Sequence, residues 1–129
     1  FYFNLKEPIG FTAYIALNYQ SKENGGLQYI LDSHKTGVLK HEPSKEVGFS
    51  SFIPRKSVKN LVQKNNIYMP SLNVGDLIIH HVNVMHFAKK CPENTERSHA
   101  LSIRFYSLNN KIDENRMKRY KEFMNANRS

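Results

Sequence analysis

Two β-rich runs, Leu77–Met85 and Ser98–Leu108, constrain this chain more than any other feature. Their side chains alternate with period two, so each run has to present two distinct faces of a strand. Gly75-Asp76 makes a turn before the first run, and a polar loop at Cys91–Glu96 separates it from the second. In the first run Leu77, Ile79, His81, Asn83 and Met85 form one face, and Ile78, His80, Val82, Val84 and His86 form the other. The second face is mostly apolar and has a histidine at its far end. A histidine ending one strand, a short loop and an arginine opening the next strand suit a site for a metal plus a carboxylate.

The rest of the chain reads as further short strands broken by turns. Phe11–Tyr19 is a strong strand. Its face of Phe11, Ala13, Ile15, Leu17 and Tyr19 reads as core. The opposite face of Thr12, Tyr14, Ala16 and Asn18 suits either a pocket lining or an ordinary half-buried strand. Ser21–Gly26 and Asp32–Gly37 read as turns on either side of a short strand at Leu27–Leu31, and Val38-Leu39 reads as a further brief strand. His41–Phe49 has the composition of a surface loop. Pro54 precedes a short helix over Arg55–Lys64, where Val58, Leu61 and Val62 fall at i, i+3 and i+4. Ile67–Met69 and Leu72–Val74 flank a bend at Pro70. Ile112–Met124 has Met117, Tyr120, Phe123 and Met124 at helical spacing and reads as an amphipathic helix on the outside of the sheet. This pattern predicts a mainly β domain, a sandwich or barrel, with a short helix and a C-terminal helix at its edges.

The chain has 129 residues, enough for one domain or part of one, and 40 % of them are apolar. Its 19 basic and 11 acidic residues leave a formal charge of +8. That charge fits an anionic partner or a Lys- and Asn-rich coding bias. The basic residues are scattered, dense only over 111–128, and do not interleave with aromatic residues, which argues against nucleic acid. A single cysteine cannot form an internal disulfide, so a reducing, cytoplasmic setting is expected. No apolar run reaches the roughly 18 residues of a membrane span. No basic region followed by an apolar core marks a signal peptide. Phe1-Tyr2-Phe3 reads as mid-strand, and a natural segment is expected to precede it.

Four of the six histidines lie in the Val74–Tyr106 stretch. A lone histidine is more often structural than a ligand. His86 differs by its setting: Gly75 lies eleven residues before it and Arg97 eleven residues after it. A guanidinium at Arg97 would clamp the far end of a dicarboxylate whose near end chelates a metal held by His86. The spacings of His80, His81, His86, Cys91 and His99 match no zinc pattern. His80 and His81 point to opposite faces of one strand and cannot share a metal without a bulge.

E-N-G-G-L-Q-Y-I-L-D-S-H-K-T-G-V-L-K-H at Glu23–His41, followed by G-D-L-I-I-H-H-V-N-V-M-H at Gly75–His86, resembles the phytanoyl-CoA dioxygenase (PhyH) family. The resemblance extends from Phe11 to about Tyr106. It implies a double-stranded β-helix, a jelly-roll or cupin-like barrel that is incomplete at its N-terminus. It also implies an oxygenase that uses Fe(II), 2-oxoglutarate and O2 on a small-molecule substrate. Carried over by position, His86 matches the distal iron ligand and Arg97 the arginine that binds the far carboxylate of 2-oxoglutarate. Tyr14 falls where an aromatic residue lines the cosubstrate pocket. Asn24, Gly25, Ser33, His34 and Gly37 match structural turns, and no residue is assigned as catalytic.

Three departures stand beside that match. Leu31-Asp32 replaces the usual Pro-Gly before Ser33-His34-Lys35. Anchoring the last strand on Ala100 puts Ser98 at the arginine position, which makes Arg104, in phase with Ser98 and Ser102, the alternative clamp; the spacing from His86 favours Arg97. Finally, no H-x-[DE] occurs in the chain, so two of three iron ligands are expected to lie upstream of Phe1, and the chain by itself is expected to be inactive. A non-catalytic β-barrel module that binds a small anionic ligand is the alternative reading.

Overall fold

The computed structural model describes residues 5–43, 51–59, 61–62 and 66–126. Eight strands and two α-helices run in order among them, with a short 3-10 helix at Ser33–Thr36 after β2: β1 (Gly10–Ala16), β2 (Gln28–Ile30), β3 (Glu42–Pro43), β4 (Ser51–Phe52), α1 (Arg55–Val58), β5 (Ile67–Tyr68), β6 (Leu77–His81), β7 (His86–Phe87), β8 (Ala100–Tyr106) and α2 (Glu114–Ala126). They form two three-stranded antiparallel sheets, ordered β6-β1-β8 and β5-β2-β7, and a separate β3-β4 pair. The chain is thus mainly β, as its alternation predicts, and no closed barrel is formed by the described residues.

β1 is the centre of the first sheet. Its register puts Thr12 opposite His80 on β6 and Arg104 on β8, and Tyr14 opposite Ile78 and Ser102. Because side chains alternate, these residues share one face. That face also carries Ala16, which is buried. Buried apolar residues come from both sheets and the segments beside them: Ala16, Tyr29, Ile30, Leu72, Val82 and Met85. The expectation that Phe11, Ala13, Ile15, Leu17 and Tyr19 form the core face is therefore corrected. Phe11, Leu17 and Tyr19 are exposed, as are Ile79, Leu101, Ile103 and Phe105 on the neighbouring strands. Phe11 and Phe105 stack on each other, with ring centres 4.8 Å apart. Apolar character alone marked that face as inward, yet the mixed face turns toward the second sheet.

The run Leu77–Met85 is not one strand. β6 stops at His81, and Val82-Asn83 turns the chain. Val82 N–H still donates to Gly10 O at 3.2 Å, and Val84 N–H to His81 O at 3.0 Å. The chain then enters the second sheet at β7. This crossing is fastened at Ser33, whose buried hydroxyl donates to Ile30 O at 2.6 Å and accepts Met85 N–H at 2.8 Å. Ile30 N–H adds a bond to Met85 O at 2.9 Å.

Elsewhere the elements are shorter than the spacing suggests. α1 covers only Arg55–Val58, Val38-Leu39 is not a strand, and part of the predicted His41–Phe49 loop lies outside the described residues. α2 starts at Glu114, with Asp113 before it. The Asp113 carboxylate accepts Arg116 N–H at 3.0 Å, the bond an N-cap makes with the first turn. Arg116 Nη1 donates to Leu5 O at 3.0 Å and ties the helix to the Leu5 segment. No helix among the described residues is long and apolar enough to cross a membrane.

Candidate functional site

The mixed face of the first sheet forms one wall of a pocket lined by Thr12, Tyr14, Leu27, His80, Val82, His86, Ser102 and Arg104. It encloses about 420 Å³, counting space at its open mouth. Its polar groups are three hydroxyls, two imidazoles and one guanidinium. Sites for small molecules have this makeup: apolar walls with a few convergent polar groups. Apart from the guanidinium it holds no charged side chain, so an anion is the ligand whose charge it complements.

Each polar group is placed by the backbone. Thr12, His80 and Arg104 lie in one cross-strand row, and Tyr14 and Ser102 in the next. Tyr14 is fixed further, because its hydroxyl donates to Gln20 Oε1 at 2.9 Å. The Gln20 side chain is fully buried, and its Nε2 donates to His99 O at 2.6 Å, just before β8. This glutamine braces the phenol against the strand that carries Ser102 and Arg104. Nothing in the sequence distinguishes Gln20 from a surface glutamine after a strand, and its role follows only from tertiary contacts.

His80 and His86 come from different sheets and meet because the chain crosses between them at Val82–Met85. Their ring centres are 5.3 Å apart. Tyr29, cross-strand to His86, lies 5.2 Å from the His80 ring and 6.0 Å from the His86 ring. His86 keeps solvent-accessible surface at the pocket mouth, while protein atoms crowd the rest of the ring. Burial pushes both imidazoles below the usual histidine range, and the Arg104 charge pushes them the same way. They are neutral at pH 7. Burial also raises the Tyr14 phenol, against the opposing bond to Gln20, and raises Tyr29 further.

Of the sequence-predicted site residues, Tyr14, His86 and Arg104 line this one pocket. Arg97 does not; it is exposed in the segment before β8, where its carbonyl accepts Asn18 Nδ2–H at 2.8 Å. His80, Thr12 and Ser102 are pocket residues in addition. Thr12 was legible as part of the mixed face of β1. His81 faces away, with its ring 5.4 Å from His34. Cys91 and His99 do not line the pocket, and Cys91 Sγ lies 3.5 Å from Thr95 O. Asn24 holds the turn it was assigned: its side chain accepts Ser21 N–H at 2.8 Å and donates to Tyr19 O at 2.7 Å.

The fold and pocket define a mainly β protein with an imidazole–guanidinium site between two sheets. The sequence pattern of the phytanoyl-CoA dioxygenase (PhyH) family matches residues 1–92 of the 129, and the chain belongs to that family. The match includes Tyr14, His80 and His86 and ends before both arginines. A search of the curated proteins gives no match. The family is generally dependent on Fe(II) and 2-oxoglutarate, has a cupin-like fold and points to small-molecule substrates. Among the described residues, however, no three His, Cys, Asp or Glu side chains group together as a metal site. They do not assemble two histidines and a carboxylate on one face of an iron ion. The chemistry that iron would supply is therefore not assigned to them.

Proposed function

We propose that the chain contributes the cosubstrate-anchoring part of an Fe(II)- and 2-oxoglutarate-dependent dioxygenase site that acts with O2 on a small molecule. In this reading the two three-stranded sheets are facing walls of a double-stranded β-helix. One observation carries it: Arg104 and His86 line the same pocket, with the hydroxyls of Thr12, Tyr14 and Ser102 beside them. Arg104 takes the far carboxylate of 2-oxoglutarate, the Thr12 and Ser102 hydroxyls donate to it, and His86 stands at the metal-facing end. Arg104 is preferred to Arg97 because only Arg104 lines the pocket.

Calorimetric titration of 2-oxoglutarate tests the anchoring. Arg104→Ala is expected to weaken binding at least about tenfold, the scale of one charge-assisted hydrogen bond. Arg97→Ala is expected to leave binding within about twofold, as befits an exposed charge. The reverse order would return the clamp to Arg97. The oxygenase activity is tested by Fe(II)-dependent decarboxylation of 2-oxoglutarate by the protein containing this chain; equal rates in wild type and His86→Ala would remove His86 from the site.

A second reading rests on Arg104 being the only charged side chain among those that line the pocket. In it the chain is a non-catalytic β module that holds a small anionic ligand in the same pocket. Binding that depends on Arg104, without Fe(II)-dependent turnover, would decide for it.

A further inference from the structure

We propose that a second pocket, beside the crossing turn, binds a small zwitterion with one carboxylate and one ammonium group, a free amino acid being the simplest case. The two pockets adjoin that turn at consecutive residues, Val82 in the first and Asn83 in the second, and share no lining residue. The proposal does not depend on the oxygenase reading and uses none of the residues assigned to it.

The second pocket encloses about 400 Å³, counting space at its open mouth, which is at the lower end of small-molecule sites. Separate segments build it. The stretch before β1 supplies Lys6, Glu7 and Pro8, the crossing turn Asn83, and the first turn of α2 Arg116. Val38 comes from the chain after the 3-10 helix. Gly37 turns that chain with φ 71° and ψ −160°, a conformation reserved for glycine. The segments are tied to one another. Lys6 N–H donates to Lys111 O at 3.0 Å, Leu5 pairs with Ile112, and Arg116 Nη1 holds Leu5 O.

The signs of the charges carry the argument. The wall holds two cations, Lys6 and Arg116, and one anion, Glu7. Arg116 Nε lies 3.2 Å from Asp113 Oδ2, which fixes the guanidinium and offsets its charge. Lys6 and Glu7 are adjacent in sequence, yet neither enters an ion pair among the described residues. A simple anion would be drawn by Lys6 and repelled by Glu7, and a simple cation the reverse. A ligand with both charges answers both, and it adds no net charge to a wall that has none once Asp113 is counted. The Asn83 amide offers a donor and an acceptor beside them. Buried Pro8 and half-buried Val38 give apolar surface for the ligand's carbon frame. Lys6 and Glu7 are themselves exposed, so affinity in the millimolar range is expected.

The test is NMR titration of the ¹⁵N-labelled chain near neutral pH with L-valine and L-alanine. Each is compared with the acid that lacks its ammonium and the amine that lacks its carboxylate. At least one amino acid is expected to move the Asn83 side-chain amide saturably below about 10 mM. Its acid and its amine are each expected to bind at least about threefold more weakly. That comparison needs no variant. Glu7→Gln is expected to erase the preference over the acid, and Lys6→Gln to weaken the amino acid at least about threefold. Arg104→Ala, in the first pocket, is expected to leave amino-acid binding within about twofold. No saturable movement at Asn83 with either amino acid would overturn the proposal. So would an acid or amine that binds as tightly as its amino acid, or a loss in Arg104→Ala as large as in Lys6→Gln. Failure of the oxygenase reading shows at Arg104 and His86 and leaves these outcomes untouched.

Discussion

Asp32 stands where the family pattern has glycine, and its backbone takes φ 59°, in the left-handed region. Aspartate tolerates that region better than most residues, because its short side chain bonds locally. Its ion pair with Lys35, at 2.7 Å, is fully exposed and adds little. Asp32→Ala is accordingly expected to lower stability by about 1 kcal/mol, and Asp32→Gly to leave it equal or slightly higher, in urea unfolding. The turn at Asp32–Gly37 is legible from its composition, whereas the left-handed conformation of Asp32 is not. Gln20 is the opposite case: a buried brace with no signal in the sequence at all. Turn positions are readable from local composition, and residues whose role is set by distant strands are not.

At the scale of elements, the link between the two sheets is the sensitive point. Ser33 joins the end of β2 to the residue before β7 and so places His86 opposite His80. Ser33→Ala leaves Met85 N–H and Ile30 O without the hydroxyl. A loss of about 1–3 kcal/mol is expected in chemical denaturation, along with weaker ligand binding in the folded protein. Strand existence was legible from alternation: β2, β6 and β8 fall inside predicted runs, and β1 starts one residue before its run and ends three residues short of it. Strand ends were less so. Val82 to Met85 continue the alternation of β6 in the sequence, yet they bend into the second sheet, because hydrogen bonds to Gly10, Ile30 and Ser33 outweigh the local pattern. The pairing of His80 with His86 was visible as a shared face of one strand. It arises instead from two strands meeting across the pocket.

For the whole molecule, two properties oppose each other. The outer face of the first sheet exposes Phe11, Ile79, Leu101, Ile103 and Phe105, while the chain carries a net charge of +8. Repulsion keeps copies apart at low ionic strength and is screened as salt rises. Light scattering of the purified chain is expected to show self-association that grows with salt, and Ile79→Lys with Ile103→Lys to suppress it. Acidification acts on the folded state itself. Burial holds His41, His80 and His86 below their ordinary 6.5, so the unfolded chain binds more protons than the folded one below that pH. Stability of the metal-free chain is expected to be fully present above pH 6.5 and to fall as pH drops below it, measured by thermal unfolding with a chelator present.

The central position of β1 has one more consequence. Thr12 and Tyr14 reach the pocket only in the register that pairs them with His80, Arg104 and Ser102. A slip of one residue would present Phe11 and Ala13 in their place and turn the hydroxyls outward. Binding of the proposed ligand would therefore work as a proofreading signal for folding: the molecules that bind would be those whose strands have aligned correctly, and the binding stoichiometry of a refolded sample would count them.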